Sequence, residues 1–300
     1  MKIFIDSAEL WEIDKVYCCG ILEGVTTNPT LIKQAVDDLR KKGDDIELAE
    51  YIKRILQTAR GTPVSLEVTE FEYDKMVEQG RKLYDMFNPV AGNVYIKIPV
   101  NPSFEGEEGR EFEGIKAIKT LSAENIPVNC TLVFTPEQAV MGAKAGAKFV
   151  SPYVSRLDDY LIEKHHLPLH KTDYFPAEGF AGKDDKGIVS GIDLIKKTVE
   201  LFEQDRITCE VLAASIRDVR QMREAALTGA HIVTAPMQIL KQLMVHYKSQ
   251  EGMRLFKADT VPEYANLTTR VSMPRKFRLQ WGRLDGWIQA VANCGICPSE

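Results

Sequence analysis

The amino-acid sequence predicts an α/β protein built as a single (β/α)8 barrel, with an insertion after strand six and a C-terminal extension. Three observations carry this. Short β-rich runs alternate with longer stretches whose apolar residues recur at three and four, almost from end to end. There are eight such short runs, which fits a closed parallel barrel. The phrases AKAGAKFV and ALTGAHIV also repeat one design, with Gly146 and Gly229 where a helix should end and hand over to the next strand.

In order, the candidate strands are 2–6, 24–28, 64–68, 94–99, 128–133, 148–153, 209–214 and 231–235. Between them lie helical patterns at 9–18, 30–39, 46–59, 73–87, 113–123, 136–145, 191–204, 219–227 and 237–246. Asn28-Pro29-Thr30 and Thr135-Pro136-Glu137 place a proline at a first helical turn, where its missing N–H costs nothing. Two segments fall outside the pattern: a polar stretch at 160–186 and a tail at 258–300 carrying Trp281 and Trp287. Neither has the periodic apolar content for its own core, so residues 1–257 read as one catalytic barrel including the insertion. The tail reads as packing on the barrel or on a neighbouring subunit.

Composition narrows the class. Of 300 residues, 44% are hydrophobic and 27% charged, which excludes collagen, coiled coil and disorder. A net charge of −5 gives no general attraction to nucleic acid or to an anionic membrane, so an anionic ligand needs a local basic site. Asp6 and Glu9 interrupt the first apolar residues, and no later run reaches membrane-spanning length, so a cytoplasmic protein is expected. Six cysteines in a chain this long do not resemble a disulfide framework. Cys294 and Cys297 supply half a zinc site and His165, His166 and His170 cluster mid-chain, but the expectation is no metal.

Strand alternation selects the candidate site. In VYIKIP the aliphatic residues share one face and Tyr95 and Lys97 the other, so Lys97 points into the barrel. Burial there is expected to lower its pKa and free the amine as a nucleophile toward a carbonyl. The same periodicity puts Asp6, Asn28 and Glu67 at or near the ends of strands one to three. It pairs Asn129 with Thr131 on strand five and Ser151 with Tyr153 on strand six. So many polar groups aimed at one cavity are costly in a core and economical in a site. Arg156, Ser215 and Arg217 follow strands six and seven, and beside a helix N-terminus they make a phosphate cradle.

The phrases FIDSA, GVTTNPTLI, PVSLEV, VYIKIPV, IPVNCTLVF, AGAKFVSPYVSRLDD, EVLAASIR and GAHIVTAPMQIL resemble, in order and spacing, the strands of transaldolases and the related fructose-6-phosphate aldolases. The likeness runs from residue 1 to about 257, broken by 160–186. It implies a cofactor-free class I enzyme in which Lys97 forms a Schiff base with a ketose phosphate. Asp6 would be the base for the C4 hydroxyl, and Glu67 and Thr131 would hold a relay water. Asn28, Asn129 and Ser151 would bind the dihydroxyacetone unit, and Arg156, Ser215 and Arg217 the phosphate. A lysine on strand four separates this pattern from the glycolytic class I aldolases. Glu67 follows the transaldolases, where the simple aldolases resemble one another in having Gln, whereas Tyr153 follows the aldolases. The implied partners are sugar phosphates and further copies of the chain, as a homo-oligomer. A lyase releasing free dihydroxyacetone, a relative acting on a sulfonated sugar, and a non-catalytic sugar-phosphate sensor stay open as alternatives.

Overall fold

Eight parallel strands close on themselves in chain order in a computed structural model of the chain, which describes residues 1–269 apart from Glu105 and Glu107. The strands are β1 (Lys2–Asp6), β2 (Gly24–Thr26), β3 (Val64–Glu67), β4 (Val94–Pro99), β5 (Val128–Val133), β6 (Phe149–Pro152), β7 (Glu210–Ala213) and β8 (Ile232–Ala235). Around them run α1 (Leu10–Cys18), α2 (Pro29–Lys41), α3 (Leu48–Thr58), α4 (Tyr73–Ala91), α5 (Glu113–Ala123), α6 (Pro136–Lys144), α7 (Val154–His165), α8 (Gly191–Gln204), α9 (Val219–Leu227) and α10 (Met237–Leu243). Each expected strand is present, and the register sets Glu67 beside Lys97 and Lys97 beside Asn129.

The start signals act as read. Asn28 caps α2 by accepting from the Leu31 N–H, and Thr135 and Gln138 form a reciprocal capping box at α6, each helix opening on its proline. Gly146 and Gly229 take φ of 106° and 86°, a backbone that a side chain would strain. α4 runs past the expected 87 and through Pro89, stopping only at Gly92 in the left-handed region. Pro89 sits in the last turn, so the one backbone hydrogen bond that its missing N–H forgoes falls at the end of the helix and not in its middle.

Two kinds of core result. Ile96 and Ile98 of β4 belong, with Ile5, Val25, Leu66 and Val128, to the large apolar layer between sheet and helices. Inside the barrel, Phe4, Phe149, Leu212 and Ile232 are buried together, Tyr95 stacks on Phe149 at 4.8 Å and Phe4 meets the same ring edge-on at 5.8 Å. Gly24 makes room for this filling, since a Cβ there would stand 2.3 Å from the Phe4 ring. The polar site lies above this filling, toward the C-terminal ends of the strands.

The insertion starts later than the sequence suggests, because α7 continues through 160–165 with Leu157 and Leu161 buried along one face. Beyond it, Phe175 and Ile188 join those two leucines and Leu194 of α8 in a satellite cluster, so the segment borrows a core from its neighbours. The expected last barrel helix is present as α10, with Met237, Ile239 and Leu240 buried in the core, and the compact unit ends with it at residue 242, where a second unit begins. That unit contains α11 (Tyr247–Ala258), which buries none of its residues, and α12 (Pro262–Thr269). Cys294, Cys297, Trp281 and Trp287 lie outside the described residues. Among the described residues no helix is long and apolar enough to cross a membrane.

Candidate active site

Lys97 stands at the centre. β4 carries it inward, its side chain is 6% exposed, and its Nζ lies 3.2 Å from Glu67 Oε2 and 3.4 Å from the Thr27 carbonyl oxygen. The Tyr153 ring is 6.0 Å away. Desolvation by burial favours the neutral amine, as expected, but Tyr153, Glu67 and Asp6 together outweigh it and raise the Lys97 pKa. The direction is the opposite of the expected depression. Burial supplies the penalty, and Tyr153 after β6, with the carboxylates brought in by β3 and β1, reverses its effect.

Asp6, at the end of β1, is pushed above the ordinary carboxylate range by burial, with Lys97, the Thr26 hydroxyl and Arg156 pulling the other way. Thr26 donates to Asp6 at 2.8 Å and contacts Thr234 at 2.6 Å. Across the cavity, Ser151 donates to Asn129 Oδ1 at 2.7 Å, and Asn129 Nδ2 donates to Ser65 at 3.1 Å. Thr131 and Tyr153 share a hydroxyl–hydroxyl bond of 2.9 Å. Asn28, used as the α2 cap, also lines the cavity. Thr26, Thr234 and Ser65 escaped the sequence reading, although Thr26 lies two residues before Asn28 and Ser65 two before Glu67, on the same strand faces.

The anion end is less uniform. Arg156 and Ser215 line the cavity with Lys97 and Asp6, and the Arg156 guanidinium lies over the Tyr153 ring at 5.0 Å. Ser215 holds a φ of 60°, unusual for a non-glycine, and its carbonyl accepts from the Ser155 N–H. Arg217 turns away: its Nη1 and Nη2 meet Asp159 Oδ1 and Oδ2, each at 2.8 Å. The helix expected to offer its N-terminus, α9, is already capped by Asp218, which accepts from the Arg220 N–H at 2.7 Å. That part of the expected cradle is occupied by the protein's own carboxylate.

Beneath the anion end sits a buried network that the sequence does not announce. Gln221 Oε1 accepts from Ser155 Oγ and from the backbone N–H groups of Arg217 and Asp218, while its Nε2 donates to Asp158. Asp158 also accepts from the Gly191 N–H at 2.7 Å, and burial pushes its pKa up to about 7. The mid-chain histidines are spent on the insertion: His165 contacts the Asp184 carbonyl oxygen and His166 ends α7 with a φ of 51°.

A buried amine between two carboxylates, at the strand ends of a filled barrel, defines an enzyme that works on a carbonyl compound. The comparisons with known proteins agree. Residues 3–275 match the family model described as Transaldolase/Fructose-6-phosphate aldolase, reaching past the 257 at which the likeness was expected to stop. A probable transaldolase of Thermoplasma acidophilum is 39% identical over 259 residues, 86% of this chain and 95% of the relative. Those of Symbiobacterium thermophilum and Aquifex aeolicus are each 37% identical, over 86% and 88% of this chain and 96% and 99% of their own lengths. The chain belongs to the transaldolase/fructose-6-phosphate aldolase family.

Proposed function

We propose that the protein is a transaldolase that moves a dihydroxyacetone unit from a ketose phosphate to an aldose phosphate through a Schiff base on Lys97. The observation that carries this is the buried Lys97 amine 3.2 Å from the Glu67 carboxylate, with Asp6 on the same cavity. Lys97 passes its proton to Glu67 and attacks the ketone. The carbinolamine oxygen leaves as water, with Glu67 and Thr131 holding the water that returns the proton. Asp6 takes the C4 hydroxyl proton, the C3–C4 bond breaks, and its electron pair flows into the protonated imine. An aldehyde phosphate departs, and the enamine carbon attacks the carbonyl of the acceptor, which Asp6 reprotonates. Water then releases the new ketose.

Asn28, Asn129 and Ser151 hold the three-carbon unit through hydroxyl contacts, and Arg156, Ser215 and Arg217 bind the phosphate. The exposed Cys18 and Cys19 fit a reducing setting and support a cytoplasmic place in sugar-phosphate metabolism. The exposed apolar side chains of Met253 and Phe256 on α11 support self-association. The chemistry is tested by borohydride reduction with fructose 6-phosphate or dihydroxyacetone followed by peptide mapping. A stable adduct on Lys97 is expected, and an adduct on a different lysine refutes the assignment. With erythrose 4-phosphate added, sedoheptulose 7-phosphate should form faster than free dihydroxyacetone does without it.

A further inference from the structure

The two arginines of the anion end are in opposite states. α7 carries Arg156 and Asp159 three positions apart, a spacing at which they could pair along the helix. They do not. Arg156 makes no ion pair among the described residues and rests over the Tyr153 ring beside the cavity. Asp159 reaches Arg217 instead, and both oxygens engage both terminal nitrogens at 2.8 Å. This is the fork geometry that a guanidinium offers to a phosphate.

We propose that Asp159 is an internal stand-in for the substrate's phosphate, holding Arg217 while the cradle is empty and yielding it when a sugar phosphate binds. The inference rests on the transfer reaction proposed above and assigns a specificity role to a residue that does not touch the reacting carbons. The pair is suited to exchange, with side chains 42% and 16% exposed for Arg217 and Asp159, so opening it costs little. Arg217 is also mounted to survive the exchange, because its backbone N–H and that of Asp218 are fixed by Gln221. Only the side chain has to move.

Transfer chemistry gives the exchange a purpose. While the three-carbon unit stays on Lys97, one aldehyde phosphate must leave and another must enter through the same cradle. A cradle of two free arginines would retain the first. An attached carboxylate that reclaims Arg217 weakens the hold and lets the departing aldehyde go.

The test uses inorganic phosphate as the probe, measured by calorimetry on the intact protein without turnover. Asp159→Asn should tighten phosphate binding about fivefold, the scale of an exposed ion pair. Asp159→Ser, which shortens the side chain, should act in the same direction. Arg217→Ala should weaken phosphate binding, and adding Asp159→Asn to it should change the affinity by less than about twofold. Unchanged or weaker binding in both Asp159 variants overturns the proposal, because Asp159 would then orient Arg217 rather than compete for it. An equal gain without Arg217 also overturns it, as an effect of net charge alone. Failure of the transfer reading is seen separately, as the absence of a Lys97 adduct in the unaltered protein.

Discussion

The two ends of the cavity handle charge in opposite ways. At the imine end, Lys97 and Asp6 are buried within each other's field and Lys97 is held against Glu67 at 3.2 Å, so a partner lost there is replaced poorly by solvent. At the anion end, the guanidinium groups of Arg156 and Arg217 lie near solvent, one over an aromatic ring and one on an exchangeable carboxylate. Bond making needs a fixed, desolvated set of charges, whereas holding a phosphate that must later leave needs charges that can be re-partnered. Substitutions should therefore be severe and pH-sensitive at one end, graded and salt-sensitive at the other.

The sharpest break of that contrast is Asp6→Asn. Removing the C4 base should lower transfer by about 10²–10⁴-fold while borohydride still traps dihydroxyacetone on Lys97, because imine formation does not need Asp6. Loss of trapping would show that imine formation itself needs Asp6. Next in size is the buried Asp158 beneath the anion end, the one place where the contrast should fail. Its folded pKa near 7 lies above the ordinary 3.8, so the folded chain binds the extra proton. Stability should fall as pH rises between these values, by up to about 4 kcal/mol at full effect. Thermal unfolding of the native protein from pH 4 to 8, set against Asp158→Asn, reads this as a flatter pH profile in the variant.

Arg156→Ala should raise KM for fructose 6-phosphate by about 10- to 100-fold and leave unphosphorylated dihydroxyacetone nearly untouched in steady-state assays. Equal losses on both substrates would mean that Arg156 serves the imine end through Asp6. The smallest effect is expected from Tyr153→Phe. The Tyr153 hydroxyl bonds Thr131 at 2.9 Å and can pass a proton toward the relay water, so its removal should slow acceptor-free release of dihydroxyacetone by about two- to fivefold and spare transfer. Product analysis with and without erythrose 4-phosphate measures the ratio.

What was legible in the sequence follows the range of the interaction. Lys97, Asp6, Glu67 and Asn129 were found because a strand turns every second residue inward, a rule that needs no tertiary knowledge. Thr26, Thr234 and Ser65 obey the same rule and were passed over only because a buried hydroxyl in a β-branched run looks like packing. The direction of the Lys97 shift is not written in its own strand, because it is set by side chains from elsewhere in the barrel. The pairing of Asp159 with Arg217 spans 58 positions, and nothing near either residue marks the other. The late start of the insertion was hidden because the last turns of α7 are polar except for Leu161 and Ile162, which face the satellite cluster.

The aromatic filling below the site has a consequence for traffic. With Phe4, Tyr95 and Phe149 packed against one another beneath Lys97, the cavity is a well with a floor. A molecule that enters from the strand ends has to return the way it came, so the first aldehyde clears the shaft before the second descends. Initial velocities measured against donor at several acceptor concentrations then trace parallel reciprocal lines, the arithmetic of a queue at a single door.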